Sequence, residues 1–286
     1  MHPILKRCID WGGSILAVLG LIFVALQLCD YGTDIDFARF NLTAWSVLGG
    51  FAIIYGLSNL MLALAWRNLL GQFGAGTSRL WAIRTYGLSQ IAKYVPGNIF
   101  HLAGRQAIGM KDGVRASPLI KSAVWELVLI SSTAVLFIVL TLPLIHTNFP
   151  TKVGALGFPA VMGIAAALFW RFIGPQFTRA FGLYVVFLAI SGLLFLGIIQ
   201  LMVVSPGISD APWFSLCGAY VLAWLVGLIT PGAPAGVGVR ELVLLFLLKG
   251  IVGEADLLLA VILGRVMTVT GDFVFFLIAL STNRNS

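Results

Sequence analysis

KYVPGNIFHLAGR, Lys93 to Arg105, decides how this chain is read. Almost everything around it is apolar, yet here a Pro-Gly pair, an Asn, a His, a Lys and an Arg fall within a few turns of backbone. Either the stretch is an ordinary cytoplasmic loop, or it is where the protein handles something charged. Proline lacks an N–H and disfavours helical geometry in the residue before it, so a helix carrying Ile91, Ala92 and Lys93 should stop near Val95. Pro96 suits the first turn of a new helix. With Asn98 to Gln106 helical, Asn98, His101 and Arg105 form one polar stripe opposite Ala103 and Ala107.

The surroundings give the stretch its meaning. Of 286 residues, 59% are hydrophobic and only 10% are charged, with a mean hydropathy of +1.01. Soluble domains carry about 25% charged residues, so the chain reads as an all-α polytopic membrane protein forming a single transmembrane domain, 1–286. A bilayer core of about 30 Å takes about 20 apolar residues per helix. Seven spans fit that measure, near 12–29, 44–65, 118–142, 153–170, 181–204, 212–229 and 257–281. Trp45, Trp66, Trp170 and Trp213 fall near span ends, where amphipathic rings prefer to sit. The first span follows Lys6 and Arg7 in the manner of a signal peptide, but no small-residue cleavage pattern follows it, so it reads as a retained helix.

The net charge of +7 is distributed by side. Lys6 and Arg7 precede span one. Arg67, Arg79, Arg84, Lys93, Arg105, Lys111, Arg115 and Lys121 lie between spans two and three. Arg171 and Arg179 separate spans four and five, and Arg240 and Lys249 follow span six. The other side has Arg39, Lys152 and Arg284 beside Asp30, Asp34, Asp36 and Asp210. Positive-inside puts the N-terminus in the cytoplasm of a bacterial inner membrane and, after seven spans, the C-terminus outside. The basicity is topological and needs no nucleic-acid partner. Cys8, Cys29 and Cys217 have no paired spacing and imply neither disulfides nor a metal site. His2, His101 and His146 are too scattered for one. No HExxH, GxSxG or Walker pattern is present and no cofactor is implied.

A second broken stretch follows span six: LITPGAPAGVGVREL, with Pro231, Gly232, Pro234, Gly236 and Gly238 close together. Laid over the first at an offset of 135 residues (Pro96 on Pro231), it puts Arg240 on Arg105, span seven on span three and span six on the amphipathic segment 80–95. Two copies of helix, break, Arg and helix entering from the same side make a parallel repeat with halves 1–150 and 151–286. Broken backbone at membrane depth survives only where protein or water covers it. Helix ends there point unpaired N–H groups and partial positive charge at the gap. With Lys93, Asn98, His101, Arg105 and Arg240 nearby, the gap suits an anion, phosphate above all. For each arginine the alternative is plain topogenesis.

Glu126, Arg265 and Asp272 lie within spans, at about 2.5–3.5 kcal/mol each on insertion scales. They require a partner or a wet cavity. Arg265 and Asp272 share a face, with Thr268 between them and about 10 Å along the axis separating them. Arg265 is a natural partner for Glu126 or Asp272, and these residues with Glu241 would line a polar pathway.

YGLSQIAKYVPGNIFHLAGR and TPGAPAGVGVREL together resemble the lysylphosphatidylglycerol synthase transmembrane-region family, also called flippase-like. Lys93, Pro96, Gly97, Gly104 and Arg105 match its first block; Pro231, Gly232, Gly236, Gly238, Arg240 and Glu241 match its second. The resemblance implies a multi-pass protein of cell-envelope biogenesis that moves an anionic phospholipid or a polyprenyl-phosphate-linked sugar. No synthase domain follows the spans, so lysyl transfer is not expected. Other readings are a non-catalytic subunit of a polysaccharide or glycolipid complex, a homo-oligomer, a small-solute permease, or a transferase using Asp34 and Asp36.

Overall fold

The computed structural model describes residues 41–94, 100–145, 151–202, 213–230 and 233–282. The side chain of Asn41 accepts from the Ala44 N–H at 2.9 Å and so caps α1, Leu42–Gln72, satisfying one of the donors a helix start leaves open. Gly74, at φ +79°, turns the chain out of that helix, a geometry glycine adopts without strain. Ser78 caps α2, Arg79–Gln90, by accepting from Trp81. A 3-10 turn, Ile91–Tyr94, ends this arm, and α3, Phe100–Lys111, runs back beside it.

The remaining elements are α4, Ala116–Leu136; α5, Ile138–Ile145; α6, Thr151–Phe172; α7, Pro175–Met202; α8, Trp213–Ile229; a 3-10 turn, Pro234–Gly236; α9, Val239–Leu248; and α10, Glu254–Ser281. Among the described residues no strand is present, and the fold is an all-α membrane architecture. Five helical stretches are long and apolar enough to cross a bilayer: Leu42–Gln72, Ala116–Leu144, Val153–Phe172, Pro175–Met202 and Ala255–Ser281. The expected span at 12–29 lies outside the described residues.

Seven spans were expected, and the structure revises 212–229. With 17 residues, α8 is about 25 Å long, short of the bilayer core. It runs beside α7, with Phe187 and Trp224 ring centroids 6.3 Å apart and Gly192 against Cys217. At its end the chain reverses. Ala235, Gly236 and Gly238 all have positive φ (49°, 70° and 82°), which brings Gly236 against Gly227 and returns α9 along α8 until Arg240 lies over Tyr220. Gly236 is required twice over, by its φ and because a Cβ there would lie 2.7 Å from the Gly227 Cα. α8 and α9 are therefore one hairpin, both ends at the same end of the bundle.

The first broken segment is also a hairpin. Trp81 at the start of α2 donates to Asp112 just past α3 at 2.9 Å, and Gly104 of α3 faces Ser89. Gly104, counted with the broken re-entrant segment, lies inside α3, in the stretch expected to be helical.

The two hairpins enter from opposite ends, so the expected parallel repeat is corrected. The order long helix, arm, 3-10 turn, short helix and long helix occurs twice, as α1 to α4 and as α7 to α10. The first members run antiparallel: Phe51 meets Gly197, Tyr55 meets Phe187 and Phe73 meets Phe177. Since α8 stops short and returns, α10 starts at the end opposite to that expected. It pairs Asp272 with Lys93 and Phe275 with Tyr86, antiparallel to α2 and hence parallel to α1. Ser281 then lies at the same end as Gln72, which also carries Arg79, Lys111, Arg115, Arg171 and Arg179. This is the basic end, and the expected position of the C-terminus on the other side is revised with it.

Trp66 is corrected as well. Trp45, Trp170 and Trp213 are exposed, as interfacial rings are, but Trp66 is fully buried, stacked on Trp81 at 5.6 Å with its indole N–H donating to Ser122 at 3.1 Å.

Candidate functional site, a charged cleft where the hairpin tips meet

The hairpin tips converge on α10. The 3-10 turn of the first brings Lys93 and Tyr94 to Asp272; the turn of the second brings the Ala235 carbonyl to Arg265, which donates to it at 3.0 Å. Between them opens a cleft of about 820 Å³ including its mouth. The broken segments were expected to face a shared pocket, and Lys93, His101, Glu126, Arg240, Arg265, Thr268 and Asp272 all line it.

Asp272 is fully buried. It accepts from Lys93 Nζ at 2.6 Å, from the Tyr94 hydroxyl at 2.5 Å and from Asn59 Nδ2 at 3.3 Å; Gln90 in turn donates to Asn59 at 3.5 Å. The position of Asp272 is set by its neighbour. Gly271 and Gly56 pack backbone to backbone, and a Cβ on Gly271 would lie 2.6 Å from the Ala52 carbonyl oxygen. Small residues of this kind let membrane helices approach closely enough for buried polar groups to meet.

Glu126 of α4 accepts from Arg105 Nη1 at 2.6 Å and from the Tyr86 hydroxyl at 2.8 Å. The Arg105 guanidinium lies 3.8 Å over the Tyr86 ring and 5.2 Å from Trp66, and the residue is only 1% exposed. Its Nε and Nη2 have no hydrogen-bond partner and rest against these aromatic faces. Arg105 is thus committed to Glu126 and does not line the cleft. It closes the wall behind it.

Arg265 was expected to pair with Glu126 or Asp272. Its carboxylate is instead Glu241, at the start of α9. The hairpin places Glu241 across from α10, while Glu126 and Asp272 are already taken by Arg105 and Lys93. Thr268 points its hydroxyl back to the Arg265 carbonyl at 3.1 Å.

Arg240 differs from the other three cations. It is 6% exposed, lies 4.2 Å over the Tyr220 ring and lines the cleft. No carboxylate among the described residues is within ion-pair distance of it, each of the three nearby being held by another cation. His101, at the rim, is pushed down to about 3 by burial first and then by Arg105 and Lys93, and its Nδ1 has no partner. It is a neutral imidazole at physiological pH.

The cleft is not closed by protein on every side. Leu127 of α4 lines it yet is 38% exposed, between the more exposed Val124 and Val128 on the outer face of the bundle. Leu102, Trp224 and Leu228 are further apolar residues of its lining.

Asn98, Pro96, Gly97, Pro231 and Gly232 lie outside the described residues, as do Asp34 and Asp36, Cys8 and Cys29. Cys217 is a buried, free thiol. Sequence reasoning passed over Tyr55, Asn59, Tyr86, Gln90, Tyr94 and Tyr220, which support or line the cleft. The available signal was chemical: polar side chains inside apolar helices need a partner. No family model matches the chain, and no curated protein matches it.

Proposed function

We propose that the protein is a lipid translocator whose cleft receives the anionic head group of a phospholipid or of a polyprenyl-phosphate-linked sugar. The observation that carries this reading is Arg240, a buried guanidinium without a carboxylate, facing a cleft whose apolar lining reaches the outer surface at Leu127. A buried cation without a counterion is costly in a membrane interior, and an anion in the cleft removes that cost. An apolar opening at Leu127 lets acyl or prenyl chains stay in lipid while the head group enters. The resemblance of the Pro-Gly blocks to flippase-like proteins points the same way. The charge asymmetry of the bundle supports, by the positive-inside rule, a cytoplasmic side for the basic end and the first hairpin in a bacterial inner membrane.

The test is reconstitution of the full chain into liposomes carrying a fluorescent anionic phospholipid, with leaflet exchange followed by dithionite quenching. Exchange is expected above that of empty liposomes and is expected to be lost in Arg240→Gln. Equal exchange by the two proteins overturns the reading.

A further inference from the structure

The charges around the cleft can be counted, and the count names a substrate class. Lys93 faces Asp272, Arg105 faces Glu126 and Arg265 faces Glu241. Among the described residues Arg240 is left over. His101 is neutral and adds nothing.

Resting on the translocator reading, we infer that the cleft selects a head group carrying one negative charge, the charge state of a phosphodiester, over the doubly charged phosphomonoester. A singly charged ligand neutralises Arg240 and leaves the three ion pairs intact. A doubly charged one brings a surplus negative charge into a cavity whose other cations are engaged. To answer it, Lys93, Arg105 or Arg265 would have to leave its carboxylate, exchanging one unpaired buried charge for another. A diester also presents two equivalent oxygens, which match the forked donors of a guanidinium. The monoester gains its second charge near pH 6, so the two classes separate cleanly above that pH.

The experiment uses the full chain in phosphatidylcholine nanodiscs doped with either phosphatidylglycerol, a diester, or phosphatidic acid, a monoester. Retained lipid is measured at about pH 8, where the monoester is a dianion. Phosphatidylglycerol is expected to be retained about tenfold over phosphatidic acid, equivalent to about 1.4 kcal/mol. Arg240→Gln is expected to abolish the retention of both. Glu241→Gln raises the surplus to two positive charges while keeping a hydrogen-bond acceptor for Arg265, and should narrow or invert the preference; Glu126→Gln makes the same change from the other wall, should the first variant not be monodisperse.

Equal retention of the two lipids, dependent on Arg240, overturns the charge rule and leaves the translocator standing. A preference that stays unchanged in both glutamine variants also overturns it. Retention indifferent to Arg240 overturns both. Dimethyl phosphate and inorganic phosphate, added as soluble competitors, distinguish a lipid from a free anion. Displacement of phosphatidylglycerol by dimethyl phosphate alone supports the count. Binding of the soluble diester without any lipid retention overturns the translocator reading.

Discussion

Gly271→Ala is the smallest substitution that tests how the cleft is positioned. The added methyl would lie 2.6 Å from the Ala52 carbonyl oxygen, 2.8 Å from Tyr55 Cδ1 and 2.9 Å from the Gly56 nitrogen. Two of these are backbone atoms of α1 and cannot rotate away. Restoring ordinary contact at about 3.5 Å requires α1 and α10 to part by roughly 0.9 Å. Overpacking of this kind costs about 1–3 kcal/mol. Gly163 of α6 supplies the control, since a Cβ there meets nothing within 4 Å; alanine at an open helical site gains about 0.5–1 kcal/mol over glycine. One chemical change should therefore move stability in opposite directions, with a gap of about 3 kcal/mol between the variants. At about 2–4 °C per kcal/mol for a chain near this size, thermal unfolding in detergent should separate them by roughly 6–12 °C. Asp272 moves with its neighbour, so Gly271→Ala should also slow leaflet exchange. Variants melting within a degree of each other would refute the close approach of α1 and α10, and the placement of Asp272 with it.

Three further outcomes follow from the buried charges. Lys93→Met strands the Asp272 carboxylate and should cost about 3 kcal/mol, whereas Lys93→Met with Asp272→Leu should recover most of it; a double variant as unstable as the sum of the singles removes the pair from the account. Glu126→Ala leaves Arg105 buried without its counterion and should cost about 3–5 kcal/mol in chemical unfolding, and a loss below 1 kcal/mol would contradict the burial of that pair. His101 is held down to about 3 in the folded chain against about 6.5 when unfolded. The unfolded state therefore binds the extra proton between those values, and stability present above pH 6.5 is lost as pH falls towards 3. At pH 5 the loss is about 2 kcal/mol relative to pH 7, and His101→Gln should remove that component from a pH series of unfolding midpoints.

The membrane architecture was legible because burial in lipid demands long apolar runs, and those runs are plain in the sequence. The hairpin tips were legible because proline, at 96 and 231 in the sequence, disfavours a continuous helix and glycines cluster at 236 and 238. The length of α8 was not. Its residues are apolar on every side because protein encloses them, and hydropathy does not distinguish a helix wrapped by helices from one crossing lipid. One signal was available: treating 212–229 as a full crossing put the loop carrying Glu254 and Asp256 at the basic end, against the charge pattern elsewhere. Trp66 misled for a similar reason, since an indole a turn and a half before a helix end has the composition of an interfacial ring whether it faces lipid or Trp81. Partners of charges were the hardest to read. Glu241 and Arg265 are visibly ionisable in the sequence, but only the return of α9 beside α10 makes them a pair.

The ion pairs are unevenly shared between the two walls of the cleft. α10 grips the tip of the first hairpin through Asp272 and the second through Arg265, two helical turns apart. α4 grips only the first, through Glu126. The bundle is thus bound along α10 like the spine of a book, and its loose edge is where α4 faces α8. Parting the covers there would leave all three of these ion pairs closed.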